Sequence, residues 1–328
     1  MEDAVTTAVQ LQSIYQKMHG DNHSLVTEVQ ILGFPSLNAF KIPVFIIIIL
    51  IYSLTISENV LIIVLVSMSH HLHSPMYFFL ANLSVTDIIL VTNVIPKTLC
   101  IIIREGDTLT ILGCLTQFFL HGVSVSTECF LLTVMSGDRY LAICKPLHYV
   151  ILMSNPMLCI RLVSLSWLLS FCAVLIYIIS MTFLQFCGPN VIDHFFCDLM
   201  PLFELSCSDI TFFQLEMLFL SVPFTLFPLL IITVSYASIV RAVLRISTDT
   251  GRGKAFSTCS SHLAVVSIFY GTLFGSYVIP SKGNSLTAGK SVSLLYTVFT
   301  PLINPIIYSL KNKDINRAMR KRFCKSNE

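Results

Sequence analysis

Seven stretches of this chain are apolar over the length of a membrane, and no other feature constrains its fold as strongly. They fall near residues 42–66, 76–101, 114–139, 158–180, 212–240, 258–280 and 291–310. A helix of about 20 residues crosses the hydrocarbon core, where lipid offers backbone amides no partner, so each run is predicted to be a spanning helix. Only 12% of the 328 residues are charged, against about a quarter in a soluble domain. The fold expected is an all-α membrane protein, a seven-transmembrane helix bundle over 42–310. No nucleic-acid partner and no enzyme activity are expected.

Basic residues orient such a bundle, because short cytoplasmic loops collect lysine and arginine. Arg241, Arg245, Arg252 and Lys254 lie between the fifth and sixth runs, and Lys311, Lys313, Arg317, Arg320, Lys321, Arg322 and Lys325 follow the seventh. The segment 181–211 has no lysine or arginine but carries Asp193, Asp198, Glu204 and Asp209. The N-terminus is therefore expected outside and the C-terminus inside. On that reading 1–41 is extracellular, 181–211 is an outer loop and 311–328 is a cytoplasmic tail. Residues 1–41 lack the basic-then-apolar start of a cleavable signal, so the first span is expected to direct insertion. Asn22-His23-Ser24 is a glycosylation sequon on the outer side. Lys311 to Lys325 reads as a short amphipathic helix on anionic lipid after the seventh span, with Cys324 beside Arg322 and Lys325 open to palmitoylation.

Four strings carry chemistry. Met135-Ser136-Gly137-Asp138-Arg139-Tyr140 closes the third run with a carboxylate beside a guanidinium, a pair too costly at a membrane helix to be filler. Leu72-His73-Ser74-Pro75-Met76-Tyr77-Phe78-Phe79-Leu80 opens the second run and leads to Asp87 in its middle. Lys254-Ala255-Phe256-Ser257-Thr258-Cys259-Ser260-Ser261-His262-Leu263 opens the sixth, and Pro301-Leu302-Ile303-Asn304-Pro305-Ile306-Ile307-Tyr308 ends the seventh, where proline breaks the hydrogen-bond ladder and leaves a hinge. Together, in their order along the chain, they resemble the odorant receptors, rhodopsin-like G-protein-coupled receptors, and within them the class for airborne odorants. The likeness starts near Met18, so residues 1–17 read as an extension or an upstream start. Gly137 departs from it, standing where the family usually has tyrosine.

The resemblance implies a plasma-membrane receptor of olfactory cilia. It would bind a small odorant within the bundle and activate the olfactory stimulatory heterotrimeric G protein, raising cyclic AMP. Asp138 and Arg139 would be the switch, His262 its latch, and Tyr236 and Tyr308 the phenols that steady the open form. The resemblance also implies disulfides Cys114–Cys197 and Cys187–Cys207, which would pin the outer loop as a lid; the four cysteines alone allow three pairings. Asp87 and Glu128 would face one another, with Asn59 and Asn304 near them. Two carboxylates in a low dielectric need a cation between them or a shared proton. The functional reading is a sodium- or proton-dependent switch, with no other cofactor; the bland one is a structural polar cluster.

The ligand pocket is expected between the third, fifth, sixth and seventh spans. His121, Val125 and Ser126 lie on the inward stripe counted back from Arg139, and Gly122 leaves room beside them. Met217, Leu220 and Ser221 would face in from the fifth span, Tyr270, Leu273, Phe274 and Tyr277 from the sixth, and Leu294 and Thr297 from the seventh. Glu216 is placed to reach the loop or the pocket. Such a wall suits a small, mostly hydrophobic molecule with one hydrogen-bonding group. No acid stands at His121, where amine receptors carry one, and Phe269-Tyr270-Gly271-Thr272 stands in place of the tryptophan-proline switch of most rhodopsin-like receptors. The alternatives are a non-olfactory chemosensory receptor and a transporter; for the latter, no internal repeat is visible.

Overall fold

In a computed structural model of the chain, residues 27–35, 37–186, 190–245, 248–278, 286–311 and 313–324 are described. The helices run in the order α1 (Lys41–Met68), α2 (Pro75–Arg104), α3 (Ile111–Cys144), α4 (Pro146–Met153), α5 (Pro156–Met181), α6 (Leu199–Glu204), α7 (Thr211–Ser221), α8 (Phe227–Leu244), α9 (Asp249–Val278), α10 (Leu286–Leu294), α11 (Thr300–Lys311) and α12 (Lys313–Cys324). Five-residue π segments, Val222–Leu226 and Leu295–Phe299, join α7 to α8 and α10 to α11. The seven apolar runs thus become seven helical spans. Among the described residues six are long and apolar enough to cross a membrane. Side chains such as Ile46, Leu50 and Leu54 on α1 and Leu165, Leu168 and Ile176 on α5 stand exposed, an outward apolar face that suits lipid.

The π segment before α11 has a local cause. Pro301 and Pro305 bring no backbone N–H to the ladder, and the Thr300 N–H bonds five residues back, to the Leu295 carbonyl. Pro305 leaves the Pro301 carbonyl without its helical donor. Asn59 on α1 supplies one, its Nδ2 donating to that carbonyl at 3.2 Å and to the Thr55 carbonyl at 3.0 Å. The amphipathic helix expected after the seventh span is α12. It is tied down by Tyr77, whose hydroxyl donates to Asp314 at 3.2 Å, and by Asn316, whose Nδ2 donates to the Ser309 carbonyl at 2.9 Å.

The chain forms two compact units. One holds Met1–Ile49, Thr92–Val123 and Ser170–Ser221; the other holds Leu50–Val91, Ser124–Leu169 and Val222–Glu328. The first contains a small sheet that a purely helical reading omits. Its strands β1 (Glu28–Ile31), β2 (Asp107–Thr110) and β3 (Val191–Ile192) lie in the order β2-β1-β3. β1 pairs antiparallel with β2, Glu28 opposite Thr110, and parallel with β3, Gln30 opposite Val191. Val29 and Ile31 point inward while Glu28 and Gln30 face out, the period of two that a half-buried strand requires. After β1 the chain turns at Gly33 (φ +65°), where a Cβ would be strained and would fall 2.3 Å from Ile101 Cγ2, forcing that side chain to shift. Asp107 anchors β2 through Lys97 Nζ at 2.6 Å and Arg104 Nη1 at 3.1 Å. The hydrogen bond from Lys97, with its charge and further donors against the opposing effect of burial, holds the Asp107 carboxyl below the usual range. The second unit has the larger apolar core, in which Phe79, Leu80, Leu83, Leu131, Leu132 and Val265 are almost wholly buried.

Candidate functional site

In the second unit three polar side chains from three spans meet at one amide. Asn304 Nδ2 on α11 lies 3.2 and 3.3 Å from the two Asp87 oxygens on α2, and 3.1 Å from Glu128 Oε1 on α3. All three residues are at most 2% exposed. One NH₂ group has two hydrogens, so it cannot fully satisfy two carboxylates. Asn59, also expected here, is wholly buried but spends its amide on the Thr55 and Pro301 carbonyls, three residues from Asn304. The cluster is all oxygen on its acceptor side, the donor chemistry of a hard cation.

Further along the same unit lies the arginine pair. Arg139 Nη2 is 3.2 Å from the neighbouring Asp138 Oδ2, and the Asp138 side chain is fully buried. Tyr149 on α4 reaches the same carboxylate; burial first, then the Asp138 charge, pushes its phenol up to about 12. The expected latch has a different partner from the one its role suggested. His262 Nδ1 on α9 bonds the Tyr236 hydroxyl on α8 at 2.6 Å, with the two rings stacked 5.7 Å apart, so the contact fastens the fifth span to the sixth. Tyr308 is buried, and Tyr236, His262 and Tyr308 all lie within electrostatic reach of Arg139. At Gly137 an added Cβ would meet nothing within 4 Å, so nothing in the packing demands a glycine there.

The expected pocket residues divide between the units. In the first, the Cys114–Cys197 disulfide joins the start of α3 to the loop before α6. Beside it the Cys197 N–H donates to Gln117 Oε1 at 2.9 Å, and Gln117 and Asn93 exchange side-chain-to-carbonyl bonds at 2.8 and 3.1 Å. This pins His194-Phe195-Phe196, which forms an aromatic cluster with Phe34 that the sequence did not announce. His121 is buried with its ring 5.1 Å from that of Phe196. Gly122 corrects the expectation: the room beside it is taken by Val174, whose methyls would lie 3.1 Å from a Cβ. Met217, Leu220 and Ser221 share a half-buried stripe on α7, and the Ser221 hydroxyl bonds the Leu218 carbonyl at 3.1 Å. Glu216 turns to the fourth span instead, accepting from Ser180 Oγ at 3.0 Å.

In the second unit Val125, Ser126 and Leu294 are half-buried and Tyr270, Leu273 and Thr297 buried. The Thr297 hydroxyl donates to the Ser293 carbonyl at 2.7 Å. Phe274 leaves the buried stripe and is 41% exposed. Sequence reasoning missed Lys290 on α10, a lysine buried to 7% exposure within a span. Asn22, Cys187 and the side chains of Tyr277 and Cys324 lie outside the described residues, and with them the Cys187–Cys207 pairing, the sequon and the palmitoylation site.

The arrangement is that of a seven-helix membrane bundle of the rhodopsin fold. Squid rhodopsin superposes with a TM-score of 0.70, at 17% identity, over 88% of this chain and 87% of its own. A profile of the olfactory receptor family matches residues 48–326. Human (Homo sapiens) olfactory receptor 11A1 is 48% identical over 299 residues, 91% of this chain and 94% of its own length. Human olfactory receptor 2G3 is 44% identical over 300 residues, 92% and 97% of the two chains. The chain belongs to the olfactory receptor family of G-protein-coupled receptors, multi-pass proteins of the plasma membrane that are receptors and not enzymes.

Proposed function

We propose that this chain binds a small, mostly hydrophobic odorant within its helix bundle. It then activates the olfactory stimulatory G protein, raising cyclic AMP in the cilia of sensory neurons. Its N-terminus faces outside, residues 311–328 face the cytoplasm, and the basic α12 rests on anionic lipid. The observation that carries this reading is the bond between Tyr236 and His262. It ties the fifth span to the sixth within electrostatic reach of Arg139, so parting those helices would free a cation for a partner. Ligand binding need only favour the parted state; a 100-fold preference supplies about 2.7 kcal/mol. Asp87, Glu128 and Asn304 would hold a sodium ion, or a proton shared by the carboxylates, in the resting state. The test is cyclic AMP in cells expressing the chain with the olfactory G protein across a broad odorant panel. Arg139→Ala, matched for surface expression, is expected to abolish the response. A response that survives Arg139→Ala would refute the switch.

A further inference from the structure

A carboxyl group in mid-membrane needs a hydrogen-bonding partner, and Glu58 on α1 has none among the described residues. About 15 Å of helix separates it from Met68 at the end of α1, which sets it near the middle of a hydrocarbon core about 30 Å thick. Its Oε2 is enclosed without a donor, and no ion pair reaches it among the described residues. The next residue, Asn59, is wholly buried and donates to the Pro301 carbonyl. Glu58 is instead half-buried, at the border between that inward stripe and the face turned to lipid. Hydrocarbon offers a carboxyl group nothing, and leaving it unmet is costly. Lipid headgroups stay at the edges of the core, so a partner at this depth has to come from another spanning helix.

The face beside Glu58 fits such a helix. Leu50, Leu54, Ser57, Leu61, Val64 and Met68 recur at alternating steps of four and three, the seam along which two helices pack with a left-handed twist. All but the half-buried Leu61 are exposed. The leucines alone do not argue for pairing, because lipid tails are as apolar as they are; the polar pair in the middle does. Ser57 is small enough to let two backbones approach. Its hydroxyl donates to the Ser53 carbonyl at 2.7 Å and keeps lone pairs for an incoming donor, while a carboxyl group carrying its proton is donor and acceptor at once.

We propose that a second copy of this chain docks on this face of α1, the Glu58 carboxyl of each copy meeting the Ser57 hydroxyl of the other. Depth selects this partner. A copy inserted the same way brings its Ser57 to the level of Glu58, and a two-fold axis along the membrane normal makes the contact twice.

The test uses the full-length receptor in proteoliposomes, labelled with donor or acceptor fluorophore, with energy transfer followed as added lipid dilutes the protein. Wild type is expected to give a saturable signal that falls on dilution. Glu58→Leu should need about ten-fold more protein per lipid to reach half-saturation, the size expected for lost interhelical hydrogen bonds. Glu58→Gln, which keeps a donor and an acceptor, should stay within about three-fold of wild type. Melting temperatures check that each variant is folded. Independently of Glu58, mild oxidation of Ser57→Cys should yield a disulfide-linked pair that the parent chain does not form. Leu168→Cys, on the exposed face of α5, should not form one either. Monomers at every dilution in wild type, or pairing in folded Glu58→Leu as tight as in wild type, would overturn the proposal. So would a loss in Glu58→Gln as large as in Glu58→Leu, or cross-linking through Leu168→Cys and not through Ser57→Cys.

Discussion

At Gly122 the third and fourth spans approach as closely as side chains allow. Both Val174 methyls would lie 3.1 Å from an added Cβ. Gly122→Val is expected to destabilise the receptor by about 1–3 kcal/mol, the usual cost of overpacking, and Val174→Ala in the same chain should recover most of it. Melting temperatures of the two variants and wild type decide; no rescue by the double change would put the strain elsewhere. Gly122 also marks where sequence reading stops. Beside His121 in an apolar run a glycine reads as open space, because the neighbour that fills it is 52 residues away in the chain. Lys290 escaped for the same reason, because its burial is set by surroundings that its own string does not show. Asp87, Glu128 and Asn304 were legible as a group, since carboxylates in mid-membrane need polar partners from neighbouring spans.

Among the elements, the spans are legible and the sheet is not. Twenty apolar residues announce a helix by themselves, whereas β1 is four residues long and its partners lie 82 and 161 residues on, counting Glu28 to Thr110 and Gln30 to Val191. Asp107 is the sheet's electrostatic anchor. Its folded carboxyl sits below its unfolded value, near 3.9. Its contribution is therefore complete above about pH 4 and is lost as pH falls through the folded value. Amide exchange in β1 and β2, corrected for intrinsic rate, should quicken below about pH 4 in wild type. In Asp107→Asn it should already be fast at neutral pH; slow exchange there would show that the ion pairs do not hold the sheet. Between α8 and α9 the bond to test is Tyr236 to His262. Tyr236→Phe keeps the stacked ring and deletes only the hydroxyl, at a cost of about 1 kcal/mol or somewhat more. If that bond fastens the resting arrangement, basal cyclic AMP should rise roughly five-fold at equal surface expression. A fall would assign the bond to the active arrangement.

For the receptor as a whole, the shared amide of Asn304 joins the second, third and seventh spans through one polar cluster. A bound cation there would act on every helix it touches. If sodium binds the resting arrangement alone, it stabilises that arrangement by an amount set by its concentration, about 2.7 kcal/mol at one hundred times its dissociation constant. Linkage is reciprocal, so sodium must weaken agonist binding by the same factor by which agonist weakens sodium binding. The melting temperature of the purified receptor should rise when N-methylglucamine is replaced by sodium, and agonist affinity should fall. Both effects should vanish in Asp87→Asn. The proton alternative predicts a different pair of results. The receptor would ignore sodium, and Glu128→Gln, which carries its hydrogens covalently, would match the wild-type melting temperature. A sodium response in wild type that Glu128→Gln also lacks would settle for the ion, because the amide retains a carbonyl oxygen but gives up the charge that holds a cation between the two acids.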